Sequence, residues 1–278
     1  MSELLNHRKS LATDDTRAAS LARNRSAIGP PTDPTEFRHE YARFERLLPQ
    51  RRPLRVLDIG CGTGAWAVHW VTHGCKVTGV DIDPEVIARA RLREQLANAN
   101  AFQGVVADAT RLPPDIGKFD VVTLNSLLEH VPNWRAAINR AARAVAPGGM
   151  LFLHTTNRHH PFQEETSHFP SYPWLPRAIR DRSRRSPIKQ RHDLAHHTDA
   201  AAVHRFSYPQ LSRVLRELGF EVYDRLDLAR PEWMTGLRSI ARLMVPRFLF
   251  YIVSSGVELY ARRPDRLDRK PQLGVDFP

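Results

Sequence analysis

The chain has 278 residues, of which 42% are hydrophobic and 26% are charged, and its formal net charge at pH 7 is +11. These values are typical of one large globular domain with extensions and exclude a chain too polar to form a core. Two cysteines exclude a disulfide framework and favour a reducing, cytoplasmic compartment. The positive charge indicates either a basic enzyme surface or an anionic partner such as a membrane surface, a phosphorylated substrate or a nucleic acid.

The first part of the chain predicts an arm followed by a helix. Residues 1–34 are polar and charged and end in a proline-rich stretch, so a mobile N-terminal arm is expected there. From Thr35 to Leu48, aromatic and aliphatic residues recur at helical spacing, which predicts a helix with one buried face. We therefore expect the folded domain to cover residues 35–264.

The stretch 54–83 carries the most informative pattern. An apolar strand ends in Asp58, a helix is predicted at 65–73, and a second strand at 77–80 closes on Asp81. Between the first strand and the helix lie three alternate glycines: Gly60, Gly62 and Gly64. Such a loop lets the backbone pass close to a ligand, and an acid at the tip of the next strand can accept hydrogen bonds from ribose hydroxyls. The spacing departs from the G-x-G-x-x-G pattern of dinucleotide sites.

Helices and strands then continue to alternate. The predicted elements are a helix at 83–99, strands at 104–107 and 119–124, a helix at 134–145 and a strand at 150–155. This succession predicts a parallel sheet covered on both faces, with ligands at the carboxyl ends of the strands. Asp108 follows the third strand, where it can accept a hydrogen bond from an adenine amino group or be an exposed loop aspartate.

The segment from Asp58 to Gly64, Asp-Ile-Gly-Cys-Gly-Thr-Gly, resembles the first motif of the class I S-adenosylmethionine-dependent methyltransferases. The resemblance implies an α/β fold with a doubly wound, mostly parallel, seven-stranded Rossmann-like sheet, and S-adenosylmethionine as the cofactor. It implies these cofactor-binding residues: Asp58, Gly60, Cys61, Gly62, Gly64, Asp81, Ile82, Asp108, Ala109 and Asn125.

A second motif, Leu-Glu-His-Val-Pro at 128–132, is similar to that of the quinone-biosynthesis O-methyltransferases. In that family an earlier glutamate joins the Glu-His pair in a divalent-metal site, but the corresponding position here is Ser126, so we predict no metal. The resemblance implies His130 as the first candidate for a general base and Glu129 as its catalytic neighbour. His154 is the second candidate, and His159 or His160 the third. For His130, a structural role remains the alternative.

A long segment at 157–205 separates the fifth strand from the next predicted helix, at 208–218. It is rich in proline, aromatic residues and arginine, and eight of the thirteen histidines lie between His154 and His204. An irregular insertion of this length is typical of a lid, so we predict that it caps the substrate. Its basic run at 177–191 either binds phosphate or lipid headgroups or is a solvated face.

The C-terminal part predicts a strand at 220–228, a helical period at 233–252, a strand at 256–261 and a polar tail at 265–278. Apolar residues in the helical period favour burial, with contact to a membrane surface as the alternative. The family resemblance implies that the last strand runs antiparallel beside the strand before it. The oligomeric state stays open.

Three functions are consistent with these patterns. The favoured one is methyl transfer to a hydroxyl oxygen of a small quinone-like, lipid or secondary-metabolite substrate. A nucleic-acid methyltransferase is the second, but Asn125-Ser126-Leu127 lacks the Asn/Asp-Pro-Pro-aromatic signature used for exocyclic base amines. The third is a catalytically silent protein that binds S-adenosylmethionine.

Overall fold

A computed structural model describes residues 33–48, 53–96, 101–160, 204–228 and 247–265. The polar tail, nearly all of the predicted N-terminal arm, most of the predicted lid and most of the helical period at 233–252 lie outside these residues. Within the described ranges, no helix has both the length and the apolar character needed to cross a bilayer.

The described elements form a single seven-stranded sheet with helices. The helices are α1 (Pro34–Phe44), α2 (Ala67–Thr72), α3 (Pro84–Leu96), α4 (Trp134–Ala144), α5 (Tyr208–Glu217) and α6 (Arg247–Val253). The strands are β1 (Arg55–Ile59), β2 (Lys76–Asp81), β3 (Phe102–Val106), β4 (Phe119–Asn125), β5 (Val145–Thr156), β6 (Glu221–Tyr223) and β7 (Gly256–Arg262). A short 3₁₀ helix covers Ala109–Arg111.

The strand order is β3-β2-β1-β4-β5-β7-β6. All pairings among the described strands are parallel except those of β7, which runs antiparallel to β5 and β6. This arrangement confirms the predicted doubly wound, mostly parallel sheet. The order reverses between β1 and β4, and ligands of such folds bind in the crevice at the carboxyl ends of the strands at this point.

Two apolar layers cover the sheet because the central strands are apolar on both faces. On one face, Leu124 and Leu153 pack with Ile138 of α4 and Leu211 of α5. On the other face, aromatic side chains predominate: Phe37, Phe44, Trp70, Phe152 and Tyr260. Phe44 of α1 contacts the rings of Trp70, Phe152 and Tyr260 at centroid distances of 5.1, 5.0 and 5.7 Å. Helix α1 therefore covers the second face, as its buried stripe predicted.

Strand β5 begins earlier than predicted, at Val145 and not at 150. Val145 pairs with Phe119 of β4, and the register between the strands shifts between Phe119 and Val121. This irregularity accommodates Gly148, which has a φ of +70°. The Pro-Gly-Gly stretch at 147–149 thus lies within the strand and not between the helix and the strand.

Strand β6 is much shorter than the predicted 220–228. It stops at Tyr223 because Asp224 turns the chain: its Oδ1 accepts hydrogen bonds from the backbone N–H groups of Leu226 and Asp227 at 2.8 and 3.1 Å. The alternating apolar residues beyond this point mimic a strand but lie in the turn.

Helix α6 is the described end of the predicted helical period. Tyr251 stacks on Tyr208 of α5 at a centroid distance of 4.3 Å, whereas Leu249 and Val253 are 41% and 64% exposed. The helix thus packs along one side and leaves apolar side chains exposed on another. Contact with a membrane surface stays a prediction.

Candidate active site

Polar side chains line the carboxyl end of the sheet on the face that α1 covers. Asp58 of β1 is in register with Thr123 of β4, and Asn125 of β4 is in register with His154 of β5. Side chains two residues apart on a strand share a face, so Thr123, Asn125 and His154 lie on the same face as Phe152. The candidate residues are therefore brought to one edge of one sheet face.

The glycine loop folds back on β2 through its backbone. The N–H groups of Gly60 and Cys61 both donate to the carbonyl oxygen of Val80, at 2.7 and 3.0 Å. The N–H of Gly62 donates to Oδ2 of Asp81 at 3.0 Å, and the N–H of Asp83 donates to Oδ1 of Asp81 at 3.1 Å. The Asp81 carboxylate therefore holds the loop against the end of β2.

Gly60 also packs against the turn that follows β4. It has a φ of +74°, and a Cβ there would lie 2.8 Å from Cδ1 of Leu127. Only glycine combines this left-handed conformation with so close an approach. Leu127 thus packs against the glycine loop and brings the Glu129-His130 turn next to it.

Asp58 is a buried carboxylate directly below the loop. Thr123 Oγ1 donates to its Oδ1 at 2.6 Å. Burial raises the pKa of Asp58 to about 6; the Thr123 hydrogen bond opposes this shift, and the charge of Asp81 adds to it. A buried carboxyl group that is costly to ionise is suited to binding a cationic ligand.

Cys61, predicted among the cofactor contacts, is buried. Burial, followed by the charges of Asp58 and Asp81, raises the pKa of its thiol well above the usual range. The Sγ atom packs against β2, because a Cβ on Gly79 would lie 2.8 Å from it. The Cys61 side chain therefore supports the loop as a neutral thiol, and its part in the candidate site is through the backbone.

The tips of β2 and β3 present apolar side chains to solvent. Ile82 is 69% exposed and Val106 is 49% exposed. Nearby, Asp108 accepts hydrogen bonds from the N–H and the hydroxyl of Thr110, both at 2.8 Å, and so begins the 3₁₀ helix that contains Ala109. These groups can contact the face and the polar edge of a planar base. Val106 was missed from the sequence, although its position near the end of the predicted strand at 104–107 was a usable signal.

The polar side chains at this edge form a row, called the polar row, that runs from Asp81 and Asp58 through Thr123 and Asn125 to His154. Its β5 end carries histidines. Nδ1 of His154 lies 3.0 Å from Oδ1 of Asn125 and 3.3 Å from Oγ of Ser126. His130 is partly exposed in the turn after β4, and its backbone N–H donates to the carbonyl oxygen of Leu127 at 3.0 Å. Burial and the charge of Arg158 lower the pKa of the third candidate, His159.

Glu129 is not exposed at the site. Its side chain is 1% exposed, and Thr155 Oγ1 donates to its Oε2 at 2.6 Å. Thr155 lies on the sheet face opposite to that of His154, because successive strand residues alternate. This geometry favours a positioning role for Glu129, which holds the turn that carries His130.

The ends of the predicted lid meet beside this turn. Asn157 and Phe206 form a parallel bridge, and the N–H of Arg158 donates to the carbonyl oxygen of Phe206 at 2.7 Å. The N–H of His204 donates to the carbonyl oxygen of Glu129 at 3.1 Å. The insertion therefore leaves and re-enters the domain at the histidine end of the polar row.

The residues that the resemblance aligns with a divalent-metal site do not fit one. Ser126 supplies a hydroxyl that contacts His154, and the Glu129 carboxylate is bonded to Thr155. In the described part of the chain, no group of three or more His, Cys, Asp or Glu side chains could hold a metal ion. Metal independence itself stays a prediction.

A family model described as "Methyltransferase domain" matches residues 34–224. Among curated proteins, a ubiquinone biosynthesis O-methyltransferase from Xanthomonas oryzae pv. oryzae is 39% identical over 104 residues, which are 37% of this chain and 44% of that protein. The chain thus spans less than half the length of the curated relatives that it matches first.

Solved structures show the same fold. An S-adenosylmethionine-dependent methyltransferase from Mesorhizobium loti gives a TM-score of 0.51 at 19% identity, over 81% of this chain and 97% of that one. A phosphoethanolamine N-methyltransferase from Haemonchus contortus, in complex with S-adenosyl-L-methionine, gives 0.51 at 18% identity, over 82% and 52%. At these identities the similarity shows the fold alone.

Proposed function

The chain belongs to the methyltransferase-domain family, and on that premise we propose that it transfers the methyl group of S-adenosylmethionine to a hydroxyl oxygen of a small-molecule acceptor. The observation that carries this proposal is the polar row at the sheet's switch point. It begins with two carboxylates, Asp81 and Asp58, and ends with the imidazole of His154.

The residues at the carboxylate end fit S-adenosylmethionine by their chemistry. This methyl donor supplies an electrophilic methyl group on a cationic sulfur and also carries an ammonium group, a ribose and an adenine. Asp58 and Asp81 are acceptors that suit its cations and hydroxyls, and Asp108 suits the adenine amino group. The exposed Ile82 and Val106 offer an apolar surface to the adenine ring.

The residues at the histidine end suit the acceptor. Methyl transfer is an in-line displacement, so the protein must align the acceptor oxygen with the methyl group and exclude water. A hydroxyl oxygen is a weak nucleophile until it loses its proton, and a neutral imidazole can accept that proton near pH 7. His130 and His154 are the two candidates. The insertion returns beside them, which supports its proposed role as the acceptor cap.

The acceptor is tested by untargeted methyl labelling. The full chain is incubated with S-adenosylmethionine carrying an isotopic methyl group, together with fractionated metabolite, lipid and nucleic-acid extracts of the host. We expect label in a small hydroxylated molecule, bound as an ether that resists mild base. Label in nucleic acid would overturn the proposed substrate class. Binding of the donor without any transfer would leave a catalytically silent protein.

The same assay tests His130 once an acceptor fraction is identified. If His130 accepts the proton or orients the acceptor, His130→Ala lowers the methylation rate by about 10²–10⁴-fold while donor affinity changes little. His73→Ala is a suitable control, because His73 lies at the end of α2 and packs on Tyr41, away from the polar row. An unimpaired rate in His130→Ala would remove His130 from the mechanism.

A further inference from the structure

The His154 imidazole is held by residues of both neighbouring strands. We propose that Asn125, Ser126 and Gly256 position His154 as the general base, with the proton on Nδ1 and the lone pair on Nε2. This inference rests on the proposed methyl transfer for its chemical purpose, but the tautomer that it assigns is a property of the protein alone. Asn125 thereby becomes a positioning residue, whereas the family resemblance implied a cofactor contact.

The contact with Asn125 determines the tautomer. Asn125 and His154 are directly opposed on β4 and β5, and Nδ1 of the imidazole lies 3.0 Å from the amide oxygen. With the amide oxygen facing the ring, Nδ1 carries the proton and donates, because an amide oxygen only accepts hydrogen bonds. In a neutral imidazole the other nitrogen then holds the lone pair, which makes Nε2 the basic atom.

Ser126 supplies a second acceptor from a strained position. Its Oγ lies 3.3 Å from the same Nδ1, and its backbone N–H donates to the carbonyl oxygen of His154 at 2.9 Å. Its φ is +49°, and no other non-glycine residue in the described ranges has a positive φ. Such a conformation is unfavourable for a residue with a side chain and persists where surrounding contacts enforce it, often at functional sites. Here it turns the hydroxyl back onto the imidazole.

Gly256 leaves the space that the ring occupies. A Cβ built on this residue would lie 2.5 Å from Nε2 and 3.1 Å from Cδ2 of His154. The φ of Gly256 is not positive, so its backbone does not itself demand glycine. The imidazole is therefore the main group that excludes a side chain at this position, although the carbonyl oxygen of Thr155 would also lie 3.3 Å from the Cβ, and the ring packs on β7.

Charged groups around the ring come from β7 and the turn after β6. Glu258 is the β7 residue in register with His154, and Arg225 pairs with it at 3.1 Å. Burial raises the pKa of Glu258 to about 7; the charge of Glu40 adds to this shift and that of Arg225 opposes it. A pH profile of His154 would therefore include the titration of Glu258, so the tautomer is the cleaner observable.

The proposed reaction moves one proton to His154 and one methyl group to the acceptor. His154 Nε2 accepts the proton of the acceptor hydroxyl while the oxygen forms a bond to the methyl carbon and the methyl–sulfur bond breaks. The electron pair of that bond stays on sulfur, and the products are the methyl ether and S-adenosylhomocysteine. The imidazolium then releases its proton to solvent, which restores the lone pair on Nε2.

The tautomer is tested by nitrogen-15 NMR on the full chain with labelled histidine, in which His154→Gln assigns the resonance. We expect Nδ1 to give the protonated signal and Nε2 the unprotonated one. Asn125→Ala should move the population toward the form with the proton on Nε2, and Asn125→Asp, which keeps an acceptor, should restore the wild-type form. A proton on Nε2 in the wild type, or no change in Asn125→Ala, would overturn the inference.

Calorimetry with S-adenosylhomocysteine separates the two roles of Asn125. A positioning residue predicts that Asn125→Ala keeps its affinity within about twofold, and that on an identified acceptor kcat falls while the donor KM does not rise. A cofactor ligand predicts a loss of about fivefold or more, because a direct hydrogen bond to the cofactor would be removed. The second result would overturn the inference.

Gly256→Ala tests the contact independently of the amide. In the wild-type background the new methyl group should displace the ring, lowering the melting temperature and shifting the His154 resonances. In a His154→Ala background the same substitution should leave the melting temperature nearly unchanged. An equal fall in melting temperature in both backgrounds would show that the His154 ring does not pack on Gly256. It would overturn the proposed positioning role of Gly256.

Failure of the inference and failure of the proposed function are distinguishable. Methyl transfer by a protein whose His154 carries its proton on Nε2 would refute the inference alone. A protein with the assigned tautomer that labels no acceptor would refute the proposed function, since the labelling experiment does not depend on the tautomer.

Discussion

Replacement of Asp58 by asparagine should stabilise the ligand-free protein relative to the wild type, and this stabilisation should be larger at pH 8 than at pH 5. Burial raises the pKa of Asp58 from 3.8 to about 6. An acid whose pKa is raised on folding stabilises the folded state fully only below its unfolded pKa, and this stability is lost as the pH rises through the folded value. The window of loss is therefore about pH 4 to 6.

The magnitude follows from the two pKa values. The carboxyl group costs the folded state on the order of 2 kcal/mol at pH 5 and on the order of 3 kcal/mol at pH 8, by the linkage relation. The difference, on the order of 1 kcal/mol, is the quantity to test. Terms that do not depend on pH, such as an unsatisfied amide N–H beside Thr123, cancel in this comparison.

The assay is urea unfolding of wild type and Asp58→Asn at both pH values, without ligand. Asp120→Asn serves as the matched control, since Asp120 is another buried strand aspartate but contacts Arg55 at the opposite end of the sheet. Calorimetry should then show that Asp58→Asn weakens S-adenosylmethionine binding more than Asp120→Asn does. A stability difference between Asp58→Asn and wild type that stays constant from pH 5 to 8 would refute the reasoning.

Three further substitutions test the geometry of the candidate site. Asp81→Asn removes the charge that holds Gly62, so S-adenosylmethionine affinity should fall by about tenfold or more in calorimetry, whereas the exposed control Asp115→Asn should bind normally; equal affinity for both would contradict the cofactor role of Asp81. Thr155→Val leaves the buried Glu129 carboxylate without its hydroxyl donor and should lower the free energy of unfolding by about 1–3 kcal/mol; a neutral effect would mean that this bond is not needed. Ser126→Gly should have a free energy of unfolding in urea that is about 1 kcal/mol higher than that of Ser126→Ala. Both variants lose the hydroxyl, but only glycine relieves the positive φ; the reverse order would argue against strain.

The geometry of the glycine loop was predictable because it is encoded locally. A strand, a glycine loop, a helix and an acidic strand tip lie within thirty residues, and each has its own sequence signal. The structure places Asp81 against Gly62, which follows from the same short βαβ unit. The role of Asn125 could not be read in this way. Its contact with His154 joins residues 29 apart, and it depends on the register of β4 and β5.

That register is itself a tertiary effect. It is set by the pairing of Phe119 with Val145 and by the shift that follows, neither of which has a sequence signature. The burial of Glu129 could not be predicted from the sequence for the same reason, because its hydrogen-bond donor Thr155 lies 26 residues later, on β5. In β6, the alternating pattern was real, but the side chain of Asp224 turned the chain before the pattern ended.

The bridge between Asn157 and Phe206 joins the two described ends of the insertion beside the sheet. Because both ends meet at one point, its length and composition can change without altering the spacing of β5 and α5, and the entropic cost of a longer loop grows only slowly. If the segment 158–205 caps the acceptor as proposed, grafting it between relatives would exchange acceptor preference while the residues proposed for the donor stay unchanged. In an evolving family, such an attachment would let substrate choice diversify faster than the chemistry that serves it.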